Sequence, residues 1–434
     1  MKGNLVLIIF LILSGINLYS ENKVKSPVIN SNGTVTFNLE YPVLDQVYLR
    51  GSFVPPKRKF KTPAGTFSMS GKVEMKRDGN TWTYTTDSLS SEFYTYSFEV
   101  EDKAFIDPNN KNIVRDISDN LNYFIIGNGI ADDYIEQNVP HGKVEYVWYP
   151  SKLNEMQERR MAVYLPYEYF KNPNKQFPVL YLLHGSGGDE EAWNNCGRIS
   201  QIMDNLISDK RCKPMIVVMP NGNSNLRAAP GADPENPGLK SSSINTESML
   251  GEIESVFVDD IITFIDKNYR TIDSKDSRAI AGLSLGGLHT LFVSANNPEI
   301  FDYVGLFSAQ TTNALNNESI KSMQKIGETW NEITNFLPFL KGRGLDEKIS
   351  KYSSNTLNIY SNLDDKLAAQ FKNPPQLYYI AVGKDDFVKK LNDDFRKKLD
   401  NANYSYYYKE TDGGHTWENW RKYLVDFLPH LFQE

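Results

Sequence analysis

Cysteine is nearly absent: Cys196 and Cys212 are the only two in 434 residues, too few for a disulfide scaffold. Between them Ile199, Ile202, Met203, Leu206 and Ile207 fall at helical spacing. A helix there holds its ends on the order of 20 Å apart, far beyond disulfide reach, so two free, partly buried thiols are expected. An excess of positive charge is also missing. The net charge of -7 argues against a nucleic-acid or anionic-membrane partner, since either rewards a basic face. Past the N-terminus no apolar run approaches a membrane helix in length. No internal repeat, low-complexity tract or metal-ligand spacing occurs, so neither metal nor cofactor is expected. Histidine is scarce, with five in all, which shortens any search for a general base.

What is present divides the chain. Lys2, the apolar run 5–13 and the small and polar residues 14–20 read as an export signal over residues 1–20. The signal is expected to be cleaved, leaving a secreted or periplasmic protein with no membrane span. Residues 25–128 contain short runs rich in β-branched and aromatic residues: 34–39 (TVTFNL), 46–50 (QVYLR), 82–86 (WTYTT) and 94–100 (YTYSFEV). Turn signals between them, such as Asp78-Gly79-Asn80, suggest a small all-β sandwich. A linker over 129–142 follows. From 143 to 434 short apolar runs, 179–183 (VLYLL), 215–219 (MIVVM), 278–281 (RAIA) and 376–382 (QLYYIAV), alternate with helical stretches such as 256–269 and 285–296. That alternation predicts an α/β fold with a doubly wound parallel sheet.

The chemistry is concentrated in Gly282-Leu283-Ser284-Leu285-Gly286. The bare pattern is weak, but here it follows an apolar strand and precedes a helix-like run. That is the setting of the nucleophile elbow of an α/β-hydrolase, in which the serine takes a strained backbone. A serine needs a base, and the base an orienting acid, in the chain order Ser, Asp or Glu, His for this fold type. His415 lies in the loop 411–417 between a strand-like run and a closing helix; His430 sits among apolar residues of that helix, and His289 lies within the helix after Ser284. His415 is therefore the expected base. The acid should follow the run 376–382, where both Asp385 and Asp386 stand; the spacing from Gly383 favours Asp386. Two oxyanion donors are needed, and the backbone N–H groups of Leu285 and Ser186 are expected to supply them. His184, ending the strand before Ser186, is expected to hold that loop.

These residues together resemble the esterase D-like branch of α/β-hydrolases. The likeness rests on Pro140-His141-Gly142, 160–166 (RMAVYLP), 178–185 (PVLYLLHG), 281–287 (AGLSLGG) and 414–417 (GHTW), and covers residues 140–434. The branch includes feruloyl and acetyl-xylan esterases of carbohydrate esterase family 1, enterochelin esterases, S-formylglutathione hydrolase and mycolyltransferases. Its serine, acid and histidine fall on Ser284, Asp386 and His415. The N-terminal region is similar to the immunoglobulin-like, CBM48-like modules attached to such esterases, through 48–53 (YLRGSF), 78–82 (DGNTW), 94–98 (YTYSF) and 107–109 (DPN).

The resemblance implies an exported serine esterase acting on feruloyl or acetyl esters of plant cell-wall polysaccharide such as xylan, or of its oligosaccharides. A siderophore esterase of the enterochelin type is the enzymatic alternative, although no arginine cluster surrounds the motifs. A glycan-binding protein on a hydrolase scaffold is the non-enzymatic one. Segments 221–251 and 311–355, the latter with Trp330, Phe336 and Phe339, are candidate walls of an acyl pocket. Trp417 and Trp420 are candidates for the cleft border, with Trp420 equally suited to the core. Trp82 or Tyr94 would serve a sugar-binding sandwich only if they were exposed.

Overall fold

The computed structural model describes residues 24–41, 46–55, 59–62, 65–68, 71–153, 156–234, 251–311 and 359–433. The expected export signal lies outside these residues, as do Trp330, Phe336, Phe339 and most of both candidate pocket segments.

The N-terminal strands are β1 (Val28–Ile29), β2 (Val35–Glu40), β3 (Tyr48–Gly51), β4 (Lys59–Thr62), β5 (Gly65–Ser68), β6 (Lys72–Glu74), β7 (Lys76–Asp78), β8 (Thr81–Thr85), β9 (Glu92–Val100), β10 (Lys103–Phe105), β11 (Ile113–Asp116) and β12 (Asp119–Ile126). Among the described residues they form one sheet in the order β1-β2-β8-β7 and another in the order β11-β12-β9-β3-β6, with β10 beside β9. Alternation decides which faces meet. Val35, Phe37 and Leu39 of β2 point inward, and Leu49, Tyr96, Phe98 and Phe124 of the other sheet meet them. Trp82 is 4% and Tyr94 7% exposed, so both belong to this core and offer no open face to a sugar.

The larger sheet contains β13 (Lys143–Pro150), β14 (Glu158–Leu165), β15 (Val179–Leu183), β16 (Ile216–Pro220), β17 (Arg278–Leu283), β18 (Tyr303–Phe307), β19 (Leu377–Gly383) and β20 (Tyr407–Thr411), in the order β13-β14-β16-β15-β17-β18-β19-β20. From β16 to β20 all pairs are parallel. Strands β15 to β18 are buried at every position, as expected when helices cover both faces. The fold is that of an α/β-hydrolase preceded by a small β-sandwich. One expectation needs correction: the sheet is not wholly parallel, because β13 and β14 pair antiparallel, as do β14 and β16. The connection between β13 and β14 is too short for a crossover helix and closes a hairpin instead. Cys196 and Cys212 are free and buried. Among the described residues no helix is long and apolar enough to cross a membrane.

The two layers are joined through buried polar contacts. Arg421, on the helix Trp417–Phe427, donates to Glu92 Oε1 of β9 at 2.9 Å and to the Cys196 carbonyl at 2.8 Å. Tyr134 also donates to Glu92, and the Arg421 guanidinium lies 4.9 Å from the Phe93 ring centre. Residues 129–142 are strapped down as well: the Asn205 amide reaches the carbonyls of Asp133 and Ile135, and Asp204 accepts from Gly142 N–H at 2.9 Å.

Arg421 and Glu92 are each 2% exposed at the side chain, so removing one charge strands the other. Arg421→Ala is expected to lower unfolding stability by about 3–5 kcal/mol, measured by urea denaturation. An unchanged midpoint would contradict the importance of this junction.

Candidate active site

Strand β17 ends at Leu283 and the helix Leu285–Asn296 begins two residues later, with Ser284 between them at φ 53, ψ -115. This is a costly backbone region for a residue with a side chain. It is held from both sides: Ser284 N–H donates to Phe307 O at 2.9 Å, and Ser284 O accepts from Gln310 N–H at 3.1 Å. Neighbouring backbone packs too closely for side chains at the flanking glycines. A Cβ on Gly282 would stand 2.3 Å from Gly286 O, and one on Gly286 2.4 Å from His184 O. Ser284 Oγ therefore projects beyond the C-terminal edge of the sheet, where this architecture places its sites.

Two other strands deliver partners to the same edge. After β20, the loop bearing His415 turns at Gly413 (φ 86) and is pinned by the buried Asn419, whose amide donates to Gly414 O at 2.8 Å. After β19, Asp386 is buried, and its Oδ1 accepts from Val388 N–H at 3.0 Å. His415 Nδ1 lies 2.9 and 3.1 Å from the two Asp386 oxygens, and His415 Nε2 lies 2.9 Å from Ser284 Oγ. Phe387 and Trp420 wall the imidazole, their centres 4.3 and 5.0 Å away. With Nδ1–H donating to the carboxylate, Nε2 is left as an acceptor for the serine hydroxyl proton.

The competing residues are placed elsewhere. Asp385 is exposed, and its N–H donates to Gly413 O. His430 is exposed and lies against Tyr407 at 5.3 Å. His289 is buried in a polar cluster: its Nδ1 is 2.7 Å from Glu254 Oε1, and Tyr360 donates to the same carboxylate. Burial works to raise the Glu254 carboxyl, while His289 and Tyr360 together hold it below the usual range.

Of the two expected oxyanion donors, Leu285 N–H is the first of its helix and has no carbonyl of that helix to meet. Ser186 is half-buried on the loop after β15. That loop passes directly beside the serine, since a Cβ on Gly185 would lie 3.2 Å from Ser284 Cβ. His184 holds it: Nδ1 meets Gly185 O at 2.8 Å and Nε2 accepts from Gly222 N–H at 2.8 Å. The residues that fix the adjoining 221–229 loop were missed in the sequence. Buried Arg159 donates to the carbonyls of Asn221 and Asn223, both at 2.7 Å, and buried Glu190 accepts from Asn221 Nδ2 and Ala229 N–H. Their only signal was charge beside buried strands. Among the described residues no group of His, Cys, Asp and Glu is arranged to hold a metal ion.

Both His184 nitrogens are engaged in its neutral form, and burial pushes its pKa down to about 4. Between pH 6.5 and 4 the unfolded chain therefore binds a proton here that the folded chain refuses. The stabilisation is complete above about pH 6.5 and lost as pH falls towards 4, amounting to about 3 kcal/mol. In His184→Gln the fall in melting temperature between pH 7 and pH 4.5 should be visibly shallower than in the wild type. Parallel profiles would remove His184 from the acid response.

Comparison with known proteins adds a family. The Esterase family model matches residues 154–431. An endo-1,4-beta-xylanase/feruloyl esterase of Xylanibacter ruminicola is 32% identical over 290 residues, 66% of this chain and 36% of that protein. Endo-1,4-beta-xylanase Y of Acetivibrio thermocellus is 25% identical over 291 residues, 64% of this chain and 22% of its own length. The chain thus spans about a third or less of these relatives. Among solved structures, a ferulic acid esterase of Anaeromyces mucronatus is 20% identical with a TM-score of 0.50, covering 69% of this chain and 95% of the other. The enterobactin esterase of Shigella flexneri is 13% identical with a TM-score of 0.58, covering 92% and 93%. At these identities both structural likenesses are of fold.

Proposed function

This chain belongs to the Esterase family, and from that premise we propose that it is an exported serine carbohydrate esterase releasing feruloyl or acetyl groups from xylan-type plant polysaccharide. The observation that carries the reading is the hydrogen-bonded series Ser284 Oγ, His415 Nε2, His415 Nδ1 and Asp386, with contacts of 2.9 Å at both ends. Support for the substrate class comes from the relative whose name joins xylanase to feruloyl esterase.

The steps follow from that geometry. Ser284 Oγ attacks the ester carbonyl carbon while its proton passes to His415 Nε2. The carbonyl oxygen becomes an oxyanion, met by the N–H groups of Leu285 and Ser186. Asp386 stabilises the imidazolium without taking its proton. Collapse expels the sugar alkoxide, which takes the proton from His415, leaving the acyl group on Ser284. Water, deprotonated by the same imidazole, then releases the carboxylic acid and restores the serine.

Ser284→Ala is expected to lower kcat on a simple aryl acetate by about a thousandfold or more with the fold intact; full activity would overturn the assignment. A panel of methyl ferulate, acetylated xylan and enterobactin tests the substrate class. Turnover of methyl ferulate or acetylated xylan supports the proposal, and cleavage of enterobactin alone overturns it.

A further inference from the structure

Among the described residues the sandwich reaches the site through the turn between β11 and β12. Strands β11 and β12 pair in a register that sets Asp116 opposite Asp119, leaving Ile117 and Ser118 as a two-residue turn. Such turns favour Gly or Asn because positive φ is required, yet the first position is Ile117 at φ 54. A β-branched residue there is strained, and strain of this kind marks a position held for another purpose. The Ile117 side chain is directed at the oxyanion loop: a methyl group on Gly187 would stand 3.2 Å from Ile117 Cγ2.

The two preceding residues make directed contacts. Arg115 forms a two-pronged pair with buried Asp189, at 2.6 and 3.0 Å, and reaches Glu191 at 3.0 Å and its own turn at Ile117 O, 2.8 Å. Asp116 Oδ1 accepts from Trp417 Nε1 at 3.1 Å. Trp417 packs edge-on against Trp420 at 5.1 Å, and Trp420 in turn against His415 at 5.0 Å. The loop carrying Ser186 leaves β15 and the loop carrying His415 leaves β20, with β17, β18 and β19 between them in the sheet. Three consecutive sandwich residues therefore touch both loops across the mouth of the site.

We propose that Arg115, Asp116 and Ile117 are positioning residues for ester hydrolysis, setting the oxyanion loop and the histidine loop relative to Ser284. The proposal rests on the esterase reading above. The sandwich is on this account part of the catalytic apparatus even for a substrate too small to touch it. A displacement of either loop by a fraction of an ångström misaligns the donors or the base and lowers the chemical step.

The test uses the full chain and a nitrophenyl acetate. Ile117→Gly relieves the turn while deleting the contact, so it should keep or raise the melting temperature yet lower kcat by about five- to tenfold, with KM changed less than about twofold. Asp116→Ala should act in the same direction. Asp116→Asn, whose amide oxygen still accepts from Trp417, should recover most of the loss. Wild-type inactivity on the acetate would sink the esterase reading and this proposal with it. An active wild type with kcat unchanged in Ile117→Gly and Asp116→Ala would overturn the hairpin's role alone. Should Asp116→Ala fail to fold, Ile117→Gly decides the matter.

Discussion

The helix that begins at Leu285 lies so close to β17 on one side and to the end of β15 on the other that neither Gly282 nor Gly286 has room for a Cβ. That approach forces Ser284 into positive φ and lifts its hydroxyl above the sheet edge. It also brings the β15 loop against the serine, because the atoms facing Gly286 are the carbonyls of Leu183 and His184. The position of Ser284, the β15 loop and the first helical N–H all depend on these close approaches, and relaxing them would move all three.

The remaining groups are arranged around that fixed point by buried polar contacts. Asp386 is satisfied by Val388 N–H and His415, His184 bridges two loops as a neutral ring, and Arg159 and Glu190 tie the 221–229 loop by its carbonyls and amides. Each places a polar group out of water only where every hydrogen bond needed is met nearby. The junction with the sandwich is made by paired charges, Arg421 with Glu92 at depth and Arg115 with Asp189 near the mouth. A domain held by paired buried charges is fixed in orientation, which lets a turn on one domain act on loops of the other.

Much of this was legible because it is local. The Gly282–Gly286 turn, its preceding strand and its helix occupy adjacent residues, so the pattern read together with its flanks points to Ser284. His415 followed from the scarcity of histidine, and Asp386 from its distance past a buried strand; the structure brings all three side chains into contact. What was not legible lies between residues far apart in the chain. Trp417 and Asp116 are 301 positions apart, and no periodicity links them. The antiparallel edge was missed because β13, exposed along much of its length, lacks the continuous apolar run of the central strands. Arg159 and Glu190 went unnoticed because burial by pairing leaves no trace in composition.

The central claim is that Ser284 carries the acyl group during turnover. Acid-quenching the reaction with an aryl acetate, followed by peptide mapping by mass spectrometry, tests it directly. The account predicts an acetyl adduct on the peptide containing Ser284 that appears within the first turnover and is absent in His415→Ala. An adduct on a different residue, or turnover in which no acyl-enzyme forms, would contradict it.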